Sequence, residues 1–557
     1  MEQARLLIAI VLCVLVFVLW QFFFVDKQAS QKSAQKVEEP PAKEQPAKEA
    51  TPQPQAPEVV KPEKTVVAET PVSETARIPR TITVDTPYFK AKLSEKGAGF
   101  TSFVLKKYRD TVQKDSPLKE LLPAKDSIDT VLTGFTGNSL SGLDKAVFST
   151  NLNADTVSID DAAQEVSFYW KSSDGVVVQK TYKFSPNSYL VGLDVAINNG
   201  SEHSFEGKPF VVLNGALPNE KLRYGFEGPS VMIDKKVQEI KIKDIAKKNI
   251  YTGNVKWVAL QDRYFMMSVI PEQPVDASMQ LKLEGEDLIA AQYLMPQDSI
   301  GPGAQQSYRY LLFFGPKSMK VLGEAGHDLS KALNFGMFDF LAKPCVWLMN
   351  KLYSVIPNYG IAIIILTILI KLILWPLGSK SYKSMSEMKK IQPLMKDIRE
   401  KYKDDKKKMN EEVMNLYRTY KINPLGGCLP MIVQLPVFFA LYRMLYQAIE
   451  LRHAPFFLWI DDLSAPDRLF RFNVSHIPFM EPPYGIPVLT IIMGATMLLQ
   501  QKMSPPMGDP AQAKMMMFMP LIFTVIFINF SSGLVLYWLV NNILSIAQQY
   551  YIQKKFA

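Results

Sequence analysis

The chain has 557 residues, a formal net charge of +9 and 48% hydrophobic residues, so it is too long for one typical domain. Its three cysteines, Cys13, Cys345 and Cys428, are far apart and its four histidines form no helical ligand pair, which argues against a disulfide framework, a zinc site or a metal cofactor. Since no Gly-Lys-Ser/Thr follows a glycine-rich run, the sequence also gives no sign of a nucleotide-driven motor.

The first 77 residues predict a membrane anchor followed by a linker. Residues 6–25 are continuously apolar, follow Arg5 and lack a small-residue cleavage site, so residues 1–25 are interpreted as an uncleaved transmembrane anchor. Residues 26–77 are rich in Pro, Glu, Lys, Ala and Gln and nearly free of aromatic residues. Such a composition buries too little apolar surface to fold, which predicts a disordered linker.

Residues 78–317 predict an all-β domain. Alternating segments such as 81–85, 165–170, 176–184 and 189–197 are separated by Gly, Asn and Pro. Many short strands favour a β-sandwich of two large sheets. The segment shows no paired carboxylates or sequestered histidine typical of a sugar-modifying enzyme, although such a role stays open.

Residues 318–356 then change to helical spacing. An apolar stripe runs through Phe338, Leu341, Val346, Met349, Leu352 and Tyr353. The stripe predicts an amphipathic helix lying in the membrane surface. A helix packed on the β domain would have a similar pattern, and the sequence does not separate the two.

The most informative stretch is 357–377, which is almost wholly apolar and long enough to span a bilayer as one helix. It contains Lys371, and a charge within a membrane helix costs about 2.5–3.5 kcal/mol on insertion scales. Lys371 could reach the headgroups by snorkelling. Alternatively it faces a wet cavity, and Thr367, four residues earlier, would share that polar face.

Residues 378–427 form the most charged block, with thirteen basic and seven acidic residues and a net charge of +6. Basic residues in a short loop mark the cytoplasmic side, so the positive charge is attributed to membrane topology and not to nucleic-acid binding. Apolar residues recur at helical spacing at Met385, Met388, Ile391, Met395 and Ile398, and again at Met409, Val413, Leu416 and Tyr420. This predicts a helical hairpin turning at 403–406, whose methionines either fill its core or form a docking face.

Residues 428–557 contain four further apolar stretches, at 429–448, 486–499, 515–530 and 534–547. With the anchor and 357–377 they predict six transmembrane helices, both termini cytoplasmic and residues 26–357 periplasmic. A span of sixteen residues covers only about 24 Å of a hydrocarbon core of about 30 Å. Short spans that carry Lys371, Gln434 and Asn541 therefore imply a polar hollow in a thinned membrane.

Four motifs resemble the YidC/Oxa/Alb family of membrane protein insertases. They are residues 423–442 (NPLGGCLPMIVQLPVFFALY), 454–464 (APFFLWIDDLS), 501–505 (QKMSP) and 532–538 (SGLVLYW). The anchor, linker and β domain resemble the Gram-negative type, whose periplasmic domain has a β-supersandwich fold. The resemblance implies a bacterial inner-membrane bundle in which five helices enclose a hydrophilic groove open to the cytoplasm and to lipid.

The resemblance also implies site residues and partners. The groove charge in this family is usually arginine, whereas Lys371 occupies that position here. Residues of the substrate slide correspond to Leu435, Phe438, Tyr537 and Trp538. The implied partners are nascent membrane proteins, the Sec translocon, the ribosome and membrane lipids, without covalent chemistry, a cofactor or a nucleic-acid substrate.

Two other functions stay open at this point. A secondary transporter could use a membrane-buried lysine to bind an ion, although the five core spans show no inverted repeat. A membrane-tethered periplasmic protein that binds or converts sugar is the second alternative.

Overall fold

The computed structural model describes most of the chain after residue 77, in the ranges 78–122, 129–137, 140, 142–217, 226–285, 287–420, 429–474, 476–504 and 510–556. The described residues, apart from 510–512, form one compact unit. The predicted anchor (1–25) and linker (26–77) lie outside the described residues. Both therefore stay predictions.

The first part of the described chain consists of β-strands. Their bounds are β1 (Thr81–Asp85), β2 (Phe89–Ser94), β3 (Phe100–Arg109), β4 (Leu118–Glu120), β5 (Leu132–Phe135), β6 (Ser149–Thr150), β7 (Thr156–Ser158), β8 (Gln164–Lys171), β9 (Val176–Phe184), β10 (Leu190–Asn199), β11 (Phe205–Gly207), β12 (Pro209–Ala216), β13 (Gly228–Ile233), β14 (Lys236–Glu239), β15 (Ile250–Gln261), β16 (Phe265–Pro271), β17 (Val275–Glu284), β18 (Leu288–Leu294), β19 (Asp298–Ile300) and β20 (Gln305–Pro316). The predicted segments 81–85 and 176–184 coincide with β1 and β9, because alternating side chains there are buried on one face.

Two sheets of unequal size make up the sandwich. The smaller has five strands in the order β4-β3-β2-β1-β7, and the larger has 13 strands among the described residues. Aromatic side chains pack between them: Phe103 of β3 stacks on Phe314 of β20 at 4.7 Å, and Phe89 of β2 lies 6.3 Å from Phe184 of β9. The predicted β-sandwich is confirmed, but the expectation of two large sheets is wrong, since one sheet holds most of the strands.

Helices dominate the remainder of the chain. Their bounds are α1 (Met319–Ala325), α2 (Asp339–Val355), α3 (Tyr359–Ile373), α4 (Trp375–Lys390), α5 (Gln392–Lys401), α6 (Lys406–Thr419), α7 (Leu429–Gln447), α8 (Val488–Met503), α9 (Pro510–Phe527) and α10 (Ser532–Phe556). Short 3-10 turns occur at Ile242–Asp244, Leu329–Ala332, Gly336–Phe338 and Ile449–Leu451, and strands β21 (Leu469–Phe472) and β22 (Tyr484–Ile486) form a hairpin between α7 and α8.

The apolar stretch 357–377 is divided between two helices. Helix α3 ends at Ile373 and α4 begins at Trp375, and their axes differ by 66°. In the described chain no helix alone is both long and apolar enough for a membrane span, whereas α3 and α4 satisfy that criterion as a bent pair. The expectation of one straight helix through residue 377 is wrong, because Pro376 lies in the first turn of α4 and favours a helix start there.

The charged block folds as the predicted hairpin with one further break. Helices α5 and α6 turn back at 402–405, and Met388, Ile391 and Met395 pack against Val413, Leu416 and Tyr417. Helix α5 begins after Ile391 because Pro393 lies in its first turn. Met385, Met388 and Met395 are buried, so these methionines fill a core and do not form an exposed docking face. Tyr420, expected on the inner face, is 52% exposed.

Helix α2 packs against α3 and α7 and carries apolar residues on two faces. Val346 and Met349 of the predicted stripe are buried, whereas Tyr353 is 36% exposed and stacks on Tyr359. Phe340 and Trp347, on another face, are 69% and 63% exposed. The buried stripe therefore faces the helices, and a second apolar face points outward.

Polar contacts join the β-sandwich to the helices. Arg263, in the turn between β15 and β16, donates a 2.7 Å hydrogen bond to the carbonyl of Tyr446 and stacks over its ring at 3.6 Å. Ser318 donates to Glu450 at 3.1 Å. Next to it Lys317 is buried and donates to the Asp262 carbonyl, and burial lowers the pKa of Lys317. The junction thus fixes the β-sandwich against the C-terminal end of α7.

Candidate functional site

Lys371 lies near the C-terminal end of α3, partly buried among apolar helices. Asn358 caps the start of this helix, since its side chain accepts a hydrogen bond from the amide of Ile361. The Lys371 ammonium donates a 2.6 Å hydrogen bond to Ser545 Oγ on α10. The cation is therefore directed to a neighbouring helix and not along its own helix toward the membrane surface.

The polar contact continues along α10 and crosses to α7. Ser545 Oγ donates to the carbonyl of Asn541 at 2.7 Å, and Gln434 of α7 donates to Asn541 Oδ1 at 2.8 Å. The Tyr537 hydroxyl lies against the Gln434 side chain. These contacts join side chains of α3, α10 and α7 into one connected set. We call this set the polar chain, and its members are Lys371, Ser545, Asn541, Gln434 and Tyr537.

Thr367 does not take part in the polar chain. It is 2% exposed, and its hydroxyl donates a 2.7 Å hydrogen bond to the carbonyl of Ile363 in the preceding turn. This bond satisfies the hydroxyl within its own helix. The structure therefore separates Thr367 from Lys371, with which the sequence had grouped it.

The residues matched to the substrate slide lie around an aromatic cluster. The rings of Phe438 on α7 and Trp538 on α10 meet edge to face at 4.6 Å. Trp538 also lies 5.0 Å from Phe527 on α9. Leu435 is 39% exposed, whereas Tyr537 is 3% exposed and reaches the polar chain. The four residues therefore divide, with Leu435 on the outside of the bundle and Tyr537 at its polar interior.

The polar chain has neighbours that the sequence reasoning missed. Tyr382 of α4 lies beside Ser545 and Gln500, and Asn542 donates to Thr496 of α8 at 3.3 Å. Farther along α10, Gln548 donates to the Trp375 carbonyl at 3.0 Å. The signal was present in α10, where polar residues recur every three or four positions between apolar ones.

The described residues contain no group of three or more His, Cys, Asp and Glu side chains able to hold a metal ion. In the same part of the chain no carboxylate forms an ion pair with Lys371. What the arrangement offers is an ammonium, hydroxyls and amides in apolar surroundings. Such groups bind polar or acidic groups without covalent chemistry.

Comparisons with known proteins agree along the described chain. A family model described as "60Kd inner membrane protein" matches residues 351–557, and one described as "YidC periplasmic domain" matches residues 81–348. A protein named membrane protein insertase YidC from Syntrophus aciditrophicus is 42% identical over 478 residues, 85% of each chain. Its namesake from Geotalea daltonii is 43% identical over 481 residues, which are 85% of this chain and 87% of that relative. The crystal structure of an active YidC insertase covers 86% of this chain and 93% of its own, with 20% identity and a TM-score of 0.37.

Proposed function

Because this chain belongs to the YidC family of membrane protein insertases, we propose that it passes polar segments of nascent inner-membrane proteins across the bilayer along the polar chain centred on Lys371. The protein is a membrane insertase of the inner membrane and not an enzyme. The transporter and the tethered sugar protein gain no support from the comparisons.

The observation that carries the mechanism is the hydrogen bond from Lys371 to Ser545, continued to Asn541 and Gln434. Polar groups inside a membrane bundle are costly and mark substrate paths. A polar or acidic segment that enters from the cytoplasm exchanges part of its water for these groups. The Lys371 ammonium attracts a carboxylate in this low-dielectric setting more strongly than it would in water.

The apolar part of the substrate leaves by a different route. Leu435, Phe438 and Trp538 line the side of α7 and α10, and Leu435 is 39% exposed. A hydrophobic segment gains about 25 cal/mol for each Å² of apolar surface removed from water. Movement of the apolar segment along these side chains into lipid therefore supplies the driving force for insertion. The polar chain meanwhile lowers the free-energy barrier for the polar segment that crosses the bilayer.

The proposed topology has six spans, with both termini cytoplasmic and residues 26–357 periplasmic. The basic residues that cluster in α4–α6 and at Lys554 and Lys555 support it, since such residues stay on the cytoplasmic side. The 15 residues of α3 and the 16 of α8 extend only about 22–24 Å. Short helices of this kind thin the surrounding bilayer and shorten the path of a polar segment.

The remaining elements are assigned to delivery and positioning. The hairpin of α5 and α6 receives the substrate from the ribosome, for which its excess of basic residues is suited. Helix α2 lies in the periplasmic surface of the inner membrane, with the face that exposes Phe340 and Trp347 toward the lipid. Cooperation with the Sec translocon is part of the same proposal and would extend the range of substrates.

Two substrates with different tails test this function. The protein is reconstituted into vesicles, and Lys371→Met is compared with the unaltered chain on one client with an acidic translocated tail and one with a neutral tail. We expect selective loss of the acidic client, since only that tail gains from the ammonium. Equal insertion of both clients at the unaltered rate would refute the groove-charge mechanism. Uptake of small solutes without insertion would instead favour a transporter.

A further inference from the structure

The loop between α7 and α8 is built around two buried charged residues. Arg468 is 7% exposed and donates hydrogen bonds to the carbonyls of Pro483 and Ile528, both at 2.8 Å. Asp467 is 3% exposed and accepts hydrogen bonds from the Trp459 indole and the Leu489 amide. The pair therefore ties three parts of the loop to the start of α8 and the end of α9.

Three bulky apolar residues of this loop have left-handed backbones and exposed side chains. Leu458 has φ 61° and is 88% exposed, Phe470 has φ 50° and is 70% exposed, and Phe479 has φ 62° and is 78% exposed. Large L-residues rarely adopt this conformation, and it persists only where surrounding contacts enforce it. Such contacts are present, since Asn529 donates to the Phe479 carbonyl at 2.9 Å and Trp459 is tied to Asp467.

The strained backbone thus holds apolar side chains outward instead of letting them turn into the protein. A soluble surface gains nothing from this arrangement, because the exposed rings increase contact with water. We call Leu458, Phe470 and Phe479 the apolar tips. Arg471, between two exposed phenylalanines, is 51% exposed and lies 3.9 Å from Asp461, so a charged pair accompanies the tips.

The adjoining helices indicate what covers the tips. Helix α8 has 16 residues and extends about 24 Å, so it falls roughly 6 Å short of a hydrocarbon core of about 30 Å. The loop is attached to the N-terminal end of α8 through Leu489 and to the C-terminal end of α9 through Ile528. Apolar side chains at this level extend the hydrophobic height of the bundle where the helices are short.

We propose that the apolar tips insert into the acyl region of the outer leaflet beside the ends of α8 and α9, as a fixed lipid contact of the insertase. Arg471 then lies at the headgroup level, where aromatic and basic side chains together anchor proteins. The inference rests on the proposed topology, which places this loop on the periplasmic side.

Spin labels measure the depth directly. In the full chain with Cys13, Cys345 and Cys428 replaced by alanine, single cysteines are introduced as Phe470→Cys, Phe479→Cys or, as control, Leu283→Cys on β17, where Leu283 is 46% exposed. The labelled proteins are reconstituted in vesicles of phosphatidylethanolamine and phosphatidylglycerol. We expect the labels at 470 and 479 to collide more with oxygen than with a water-soluble nickel chelate, and the label at 283 to show the reverse.

Labels at 470 and 479 that behave like the label at 283 would overturn the proposal, and so would labels shielded from both reagents, which would indicate a protein partner. The measurement uses no substrate, so an insertion assay on the same vesicles separates its failure from failure of the proposed function. A second variant, Phe470→Asn with Phe479→Asn, removes the rings but suits the left-handed backbone. We expect this variant to keep its thermal stability in detergent and to insert substrate more slowly in vesicles. Unaltered insertion would contradict a role of the apolar tips as a lipid contact of the insertase.

Discussion

Ser545 Oγ accepts a 2.6 Å hydrogen bond from the Lys371 ammonium, across a sequence separation of 174 residues. The bond supports a buried interhelical role for Lys371 over snorkelling, because a snorkelling side chain would extend toward the headgroups. It also makes Ser545 a positioning residue. Its hydroxyl fixes the ammonium and passes the polar contact on to the Asn541 carbonyl at 2.7 Å.

The first prediction concerns this pair. Lys371→Arg should keep the insertion of acidic clients, since the charge is retained, whereas Ser545→Ala should slow it by about tenfold or more, because one hydrogen bond to a charged group contributes about 1.5–3 kcal/mol. The measurement is the initial rate of insertion into vesicles. Thr367→Val is the matched control on α3, since the Thr367 hydroxyl bonds only to its own helix. A Thr367→Val defect as large as that of Ser545→Ala would contradict the assignment.

The second prediction separates structure from function in the polar chain. Gln434→Leu and Asn541→Leu should each destabilise the protein by about 1 kcal/mol, since each leaves a half-buried partner without this hydrogen bond. The double variant should recover part of the lost stability, because neither polar side chain is then left without its hydrogen-bond partner. Thermal unfolding in detergent measures the coupling. We expect the double variant to remain defective in insertion, and a stable, fully active double variant would show that the pair serves packing alone.

Local patterns in the sequence predicted the strands and helices better than they predicted the contacts between them. The alternation in 176–184 predicts β9 because a period of two depends only on neighbouring residues. The contact of Lys371 with Ser545 could not be predicted, since it depends on how two distant helices pack. The bend before α4 has a local signal, because Pro376 favours a helix start. The prediction of one straight helix missed it, because the residues on both sides of Pro376 are apolar.

Only some features of the candidate site could be predicted, because local patterns identify polar residues but not the distant residues that they contact. Polar residues in apolar helices pointed to Lys371, Gln434 and Asn541, which the structure places in one polar chain. Thr367 shares a helical face with Lys371, yet its hydroxyl bonds backward to Ile363. Helical spacing gives the face of a side chain but not its hydrogen-bond partner.

The third prediction concerns the junction between the β domain and α7. Arg263→Ala should lower the thermal midpoint of the full chain, because the half-buried Tyr446 carbonyl loses the hydrogen bond from Arg263 and the ring loses a cation–π contact. Arg309→Ala, which removes an exposed ion pair with Glu272, is the control and should have little effect. Insertion should persist in both variants. Equal midpoints for both would show that the junction contributes no stability.

The sequence of the β domain shows no catalytic group of residues, so we expect most of the domain to be accessory and dispensable for insertion, which a deletion tests. Deletion of residues 90–300 removes Arg263 but retains α1 and α2, so we expect insertion to continue with a less stable bundle. Membrane integration and protease resistance of the helices are measured first. A folded, integrated deletion protein without insertion activity would contradict the accessory role.

The fourth prediction distinguishes packing from docking in the charged hairpin of α5 and α6. Met388→Asp should unfold the hairpin, since Met388 is 5% exposed within a core that includes Ile391 and Met395. Met414→Asp, at a residue 47% exposed, should leave the helices intact. Circular dichroism and crosslinking to nascent chains measure the two effects. If crosslinking falls in Met414→Asp with the helices intact, an exposed methionine docks substrate. If it falls only in Met388→Asp, the fold of the hairpin is what matters.

The fifth prediction uses a buried lysine of the β domain. Lys180 on β9 is 0% exposed, donates a 2.5 Å hydrogen bond to the Gly97 carbonyl and lies 4.8 Å from the Phe148 ring. Burial lowers the pKa of Lys180 to about 7, although the charge of Asp144 opposes the shift. The unfolded chain, with a lysine pKa of about 10.4, therefore holds a proton that the folded chain lacks at intermediate pH.

Folding stability should accordingly rise with pH above about 7, by up to about 1.4 kcal/mol per pH unit, because the unfolded state binds more protons there. The rise ends at about pH 10, because the lysine of the unfolded chain then also loses its proton. Burial raises the pKa of Tyr182, so tyrosine ionisation favours the unfolded chain above that pH. Denaturant unfolding of the full chain, followed by the fluorescence of buried Trp257, measures the slope. Lys180→Met should reduce the slope and leave the part that comes from the buried Lys317, whose pKa is also lowered, whereas Lys183→Met, at an exposed ion pair on the same strand, should retain it in full. An unchanged slope in Lys180→Met would assign the pH dependence to another group.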